Sequence, residues 1–269
     1  MATDNLKNKF KKNMKSILTF LPERPAKPRK SGLTMVMDKG LSVREAEDMV
    51  SVSSEYTDFV KLGFGTSVLT PNLDKKILVY KNAGVIPYFG GTLFEAFIVR
   101  NMFEQYLELV DKYEITLVEV SDGAFDLDHN KKLDYISRLA KSRTVISEVG
   151  SKKSDVVYSP EQWVDMMKSE LDAGSFKVIA EARETGTIGI YNDDGSINNT
   201  VIDAISQHVS LDNVLWEAPQ KSQQAWFIKH FGANVNLGNI APNEIIALET
   251  LRLGLRGDTF LQFLPKNLL

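Results

Sequence analysis

The chain has 269 residues, 43% of them hydrophobic, 25% charged and 9% aromatic, which excludes a disordered tail and a collagen-like fibre. It contains no cysteine, so a disulfide scaffold, a thiolate zinc site, an iron–sulfur cluster and a cysteine nucleophile are excluded together. The three histidines, His129, His208 and His230, lack metal-motif spacing, so any metal must be held mainly by oxygen, which favours Mg²⁺.

The net charge of −3 is unevenly placed, because residues 1–30 hold nine Lys/Arg against Asp4 and Glu23. In this arm Leu6, Phe10, Met14, Ile17, Leu18 and Leu21 recur at helical spacing. A basic amphipathic helix is expected, packed on the folded body rather than on a membrane. The segment LPERPAKPRK reads as a mobile linker, which divides the chain into an arm and linker over 1–31 and one domain over 32–269. No run of ~18 apolar residues exists to span a bilayer, and no signal-peptide core is present, so a cytoplasmic location is expected. The tryptophans are scattered and the body is acidic, which argues against nucleic acid.

From Leu33 onward, short apolar runs alternate with stretches of helical periodicity. The expected strands are Leu33–Met37, Asp58–Leu62, Val85–Phe89, Thr116–Val120, Thr144–Val149, Phe176–Glu181, Asn213–Trp216 and Ala233–Leu237. Between and after them, helices are expected over Val43–Tyr56, Pro71–Ala83, Leu93–Tyr113, Asn130–Lys141, Pro160–Ala173, Thr200–His208, Lys221–Phe231 and Pro242–Leu255. Ser159-Pro160-Glu161 and Ala241-Pro242-Asn243-Glu244 read as helix starts with proline in the first turn. His129 falls in a polar stretch expected to be a loop, while His208 and His230 end helices. Eight βα units with near-continuous apolar strands predict a (β/α)₈ barrel, a single α/β domain. The apolar tail Phe260–Leu269 is suited to cover a neighbouring copy or its own barrel, which leaves a homo-oligomer open.

Barrel chemistry sits at the carboxyl ends of the strands. Four consecutive runs there end on a glutamate: Glu119 in LVEVSDG, Glu148 in ISEVGSK, Glu181 in IAEARE and Glu217 in LWEAP. Carboxylates converging in an apolar setting require cationic company, from a metal or from Lys61, Lys152, Lys177 and Arg183 in or just after strands. Three small, amide-rich segments are expected to follow strands: Gly63, Gly65, Thr66 and Ser67; Gly90, Gly91 and Thr92; and Asn236, Gly238 and Asn239. Such turns let backbone N–H groups approach a phosphate. There is no GxSxG, so a hydrolase triad is not expected.

The series VMDKG, KLGFGTS, GGTLFE, VEVSDG, EVGSK, EARE, GIY, EAPQKSQQ, NVNLGNI and ETLRLGLRGDT, from about Gly32 to Thr259, resembles the phosphosulfolactate synthase family. The resemblance implies a (β/α)₈ barrel that uses Mg²⁺ to add sulfite to phosphoenolpyruvate, giving (2R)-2-phospho-3-sulfolactate, the start of coenzyme M synthesis in methanogens. On that reading Glu119, Glu148, Glu181 and Glu217 supply metal ligands, and Lys152 protonates the carbanion, with Lys61 and Lys177 in reserve. Arg183, Gly90, Gly91, Thr92, Gly238 and Asn239 hold the phosphate. Plant heat-stress-associated proteins are similar to the same family, so the alternatives are a non-catalytic barrel and a lyase for another phosphorylated small acid.

Overall fold

The computed structural model describes residues 17–151, 156–183 and 185–269. The expected amphipathic arm falls largely on residues 1–16, and Lys152 on the gap after 151, so both lie outside the described residues.

Eight parallel strands form one sheet: β1 (Thr34–Asp38), β2 (Phe59–Leu62), β3 (Ile86–Phe89), β4 (Leu117–Val120), β5 (Thr144–Val149), β6 (Lys177–Ala180), β7 (Val214–Glu217) and β8 (Leu237–Ile240). Their order, β3-β2-β1-β8-β7-β6-β5-β4, curls round until β3 and β4 lie side by side, closing a (β/α)₈ barrel. Nearly every strand residue is buried, as expected where helices cover one face and the barrel interior the other.

The helices are α1 (Val43–Ser53), α2 (Leu73–Asn82), α3 (Gly91–Ile98), α4 (Phe103–Lys112), α5 (His129–Ala140), α6 (Pro160–Asp172), α7 (Asn199–His208), α8 (Lys221–Phe231) and α9 (Ile245–Arg252). Three begin with reciprocal caps, Ser42 with Glu45, Ser159 with Gln162 and Gln220 with Gln223, each satisfying N–H groups that a helix start leaves open. Trp216 of β7 stacks on Phe227 and Phe231, at 5.1 and 5.6 Å between centroids, and so docks α8 on the sheet. Burial of a side chain such as Phe227 contributes roughly 1.5–3 kcal/mol.

Several expectations are corrected. The long helix expected over Leu93–Tyr113 is two helices, broken where Asn101 adopts a left-handed backbone that asparagine tolerates. Pro242 precedes α9 instead of opening it, and His129 is the first residue of α5, capped by the Asp128 side chain, not a loop residue. The last strand begins at Leu237, where the sequence predicted its end. The side chain of Asn236 accepts from Leu33 N–H and donates to the Val214 carbonyl, so a polar residue marks the strand start and not a loop.

The proline-rich segment is fixed to the barrel and is no mobile linker. Arg24 Nε lies 2.9 Å from Glu249 Oε1, and Arg29 Nε lies 3.1 Å from Asp58 Oδ1. The Lys27 ammonium donates to the carbonyls of Ser54, Thr57 and Gly84. At the other terminus Phe263 packs on the core, while Phe260, Leu261, Leu268 and Leu269 are exposed. Among the described residues no helix is long and apolar enough to cross a membrane.

Candidate active site

The strand ends deliver three carboxylates to one place. Glu148 is the penultimate residue of β5, Glu181 follows β6 directly and Glu217 closes β7. One carboxylate oxygen from each lies within 4.8 Å of the others, and all three residues are buried. From β2, Lys61 reaches the same point. Its Nζ is 3.0 Å from Glu148 Oε2, 3.4 Å from Glu217 Oε1 and 3.0 Å from Glu119 Oε1. Burial pushes the Lys61 ammonium toward neutrality, but Glu119, Glu148 and Glu217 outweigh it and hold the group well above the ordinary lysine value. Burial likewise raises the Glu119 carboxyl, against the pull of Lys61.

A cavity of about 100 Å³ opens on this cluster, lined by Lys61, Thr92, Glu148, Glu181, Glu217 and Asn239, with Met37 and Phe64 among its apolar walls. Asn239 takes a left-handed backbone, unusual for a strand residue, and its Oδ1 is buried with no hydrogen-bond partner. The donor set suits a hard divalent cation: three buried carboxylates with oxygens close enough to share one ion.

The other expected site residues separate. Glu119 is outside the three-carboxylate cluster; its Oε1 accepts the Gly91 N–H and faces Lys61. Gly90 and Gly91 cap and open α3, and Thr92 beside them lines the cavity. Gly238 lies inside β8, not in a loop. A Cβ there would come 2.7 Å from Met35 Cε, so packing against Met35 requires a glycine at this position. Arg183 sits just past β6, half-buried, its N–H bonded to the Thr187 carbonyl. Lys177 opens β6 and donates to the Asp212 carbonyl. It shares a strand face with Glu181 but lies four residues, roughly 13 Å, towards the opposite end of the barrel, so its candidacy as a proton donor is corrected.

The sequence reading missed two buried lysines. Lys76 of α2 lies 2.8 Å from Asp38 Oδ2 at the end of β1, where the Tyr80 hydroxyl also donates. Lys132 of α5 pairs with Asp122 and Glu170. The available signal was periodicity: Lys132 shares the apolar stripe of Ile136 and Leu139, and Lys76 that of Tyr80.

A closed parallel barrel with buried carboxylates and a lysine at its strand ends belongs to the (β/α)₈-barrel enzymes, which carry their sites at that face. The family model described as "(2R)-phospho-3-sulfolactate synthase (ComA)" matches residues 22–258. The chain belongs to this family and is an enzyme of the phosphosulfolactate synthase type. It is 41% identical over 244 residues to the phosphosulfolactate synthase of Methanothermobacter thermautotrophicus, covering 88% of this chain and 95% of that one. It is 39% identical over 243 residues to that of Bacillus subtilis, covering 89% and 96%. Among solved structures it is similar in fold to a 3-hexulose-6-phosphate synthase, with a TM-score of 0.53, 15% identity, and 82% of this chain and 98% of that one covered. The family match starts upstream of the motifs, inside the proline-rich segment that Arg24 and Arg29 fasten to the barrel.

Proposed function

We propose that this site adds sulfite to phosphoenolpyruvate in a Mg²⁺-dependent reaction, giving (2R)-2-phospho-3-sulfolactate. The observation that carries the reading is the convergence of Glu148, Glu181 and Glu217 on one point beside Lys61, at the catalytic end of a barrel of this family. Sulfur attacks the methylene carbon, the C=C electrons move toward C2 and the substrate carboxylate, and a proton then adds to C2 while the phosphate ester is retained. Glu148, Glu181 and Glu217 would hold a divalent cation, which when bound would supply positive charge where the substrate carboxylate becomes more negative.

The protein's own groups divide the remaining work. Lys61, paired with Glu119, Glu148 and Glu217, neutralises part of the buried acidic cluster and keeps its carboxylates together. Lys152 is the proposed donor to C2. Thr92 and Asn239, which line the cavity, and Arg183 beyond β6 are proposed to receive the phosphate. The test is to incubate purified protein with phosphoenolpyruvate, sulfite and Mg²⁺ and follow ³¹P NMR. A new phosphosulfonate that disappears with EDTA or without sulfite is expected, and no product from folded, metal-loaded protein would overturn the reading.

A further inference from the structure

Behind the carboxylate cluster, α5 brings a buried cation against β5 that the proposed chemistry does not use. The Lys132 side chain is 2% exposed. Its ammonium donates to Asp122 Oδ1 at 2.8 Å and to the backbone carbonyl of Glu148 at 2.6 Å, and it forms an ion pair with Glu170 Oε1 of α6 at 2.7 Å. Replacing buried ionic clusters by apolar residues of similar volume is often neutral or favourable, so stability alone does not account for this one.

Its place in the ladder suggests another role. Phe176 and Glu181 donate their N–H groups to the Val145 and Val149 carbonyls, so the two-residue period turns the Glu148 carbonyl to the other edge, toward β4. There β4 ends at Val120, whose partner is Ser147. One residue further, at Glu148, the Lys132 ammonium takes the carbonyl in place of a strand amide. Glu148 is thus held at two points, by Lys61 on its carboxylate and by Lys132 on its backbone.

We propose that Lys132 is a positioning residue that aims the Glu148 carboxylate into the metal cluster by fixing the backbone from which it projects. The inference rests on the metal reading above. Mg²⁺ demands near-ideal octahedral geometry, so a backbone released at one ligand weakens binding without removing a ligand.

The test uses the double variant Lys132→Met/Glu170→Gln, which removes the buried cation and a buried carboxylate together, with Mn²⁺ as the probe, read by EPR. The Kd for Mn²⁺ is expected to rise ~10–100-fold, the size seen when outer-sphere groups of metal ligands are removed. Half-activation by Mg²⁺ should shift in parallel while kcat at saturating Mg²⁺ stays within a few-fold, a split that general loosening of the fold does not produce. An unchanged Mn²⁺ Kd in a folded double variant would overturn the inference. Wild type and Glu181→Gln are measured alongside. If Glu181→Gln loses Mn²⁺ and the double variant does not, only the role of Lys132 falls. If wild type binds no Mn²⁺, the metal reading falls and takes this inference with it. If the double variant does not fold, Lys132→Gln/Glu170→Gln, which also withdraws the ammonium from the Glu148 carbonyl but keeps polar groups at both positions, decides: a weaker Mn²⁺ Kd supports the inference and an unchanged one overturns it.

Discussion

Glu119 accepts the backbone N–H of Gly91 between β3 and β4, the two strands that stand at the ends of the sheet order. The same oxygen lies 3.0 Å from Lys61 Nζ, so the seam of the barrel and the charge cluster share one carboxylate. Glu217 also combines a backbone N–H with Lys61, so what sets Glu119 apart is its place on the seam strand β4.

The seam leaves no room for a side chain at Gly91. A Cβ there would lie 2.1 Å from Ser121 Oγ and 2.8 Å from Glu119 Oε1, both on buried residues. Gly91→Ala should therefore destabilise by about 1–3 kcal/mol in urea denaturation and lower turnover by shifting Glu119. Gly257→Ala, at an exposed position with nothing within 4 Å, should stay within about 0.5 kcal/mol and serves as the control.

Removing a single charge from the cluster should separate metal binding from folding. Glu148→Gln and Glu181→Gln keep side-chain shape and are expected to cut turnover by ~10²-fold or more. In wild type, EDTA should abolish activity, added Mg²⁺ should restore it, and saturating Mg²⁺ should raise Tm because the ion binds the folded state. Glu181→Gln should lose that rise. Glu217→Gln has an added cost: Oε2 accepts the Ala182 N–H at 2.9 Å while Oε1 faces Lys61, and an amide offers an acceptor to only one of them.

The barrel was legible because its strands are apolar throughout and its turns are punctuated, so both periodicity and count pointed one way. The last strand was misplaced because Asn236 and Asn239, polar in isolation, serve a ladder contact and the cavity wall once folded. The glutamates at strand ends were visible for the same reason the strands were, as charges interrupting apolar runs. Which of them converge was not, because that depends on the seam and on Lys61, residues distant in the chain. Arg24 and Arg29 read as linker residues since their partners, Glu249 and Asp58, come from elsewhere in the fold.

His129 reports on the charge network behind β5. Its imidazole titrates below the ordinary value of 6.5, because partial burial and then the Lys132 cation disfavour its charged form, against the opposing pull of Asp122 and Asp128. Between that lowered value and 6.5 the unfolded chain binds more protons than the folded one, so stability falls as pH drops through this window. His129→Gln should flatten that part of the Tm profile. With only three histidines, NMR titration can assign the shift, and Lys132→Met alone, which removes the cation and leaves the Glu170 carboxylate 4.0 Å from Nδ1, should move it upward.

The proline-rich segment should prove integral to the barrel. Arg24 forms a two-point contact with Glu249, through Nε at 2.9 Å and a second nitrogen at 3.3 Å, and also donates to the Gly32 carbonyl. Both side chains of the pair are only 7% exposed. Arg24→Ala leaves the Glu249 carboxylate buried and poorly compensated, and a loss of about 3–5 kcal/mol is expected in urea denaturation. Arg24→Met/Glu249→Gln removes both charges and should recover most of that loss, since the greater part of it is the penalty of the stranded carboxylate. A loss below about 1 kcal/mol for Arg24→Ala would return the segment to the status of a linker.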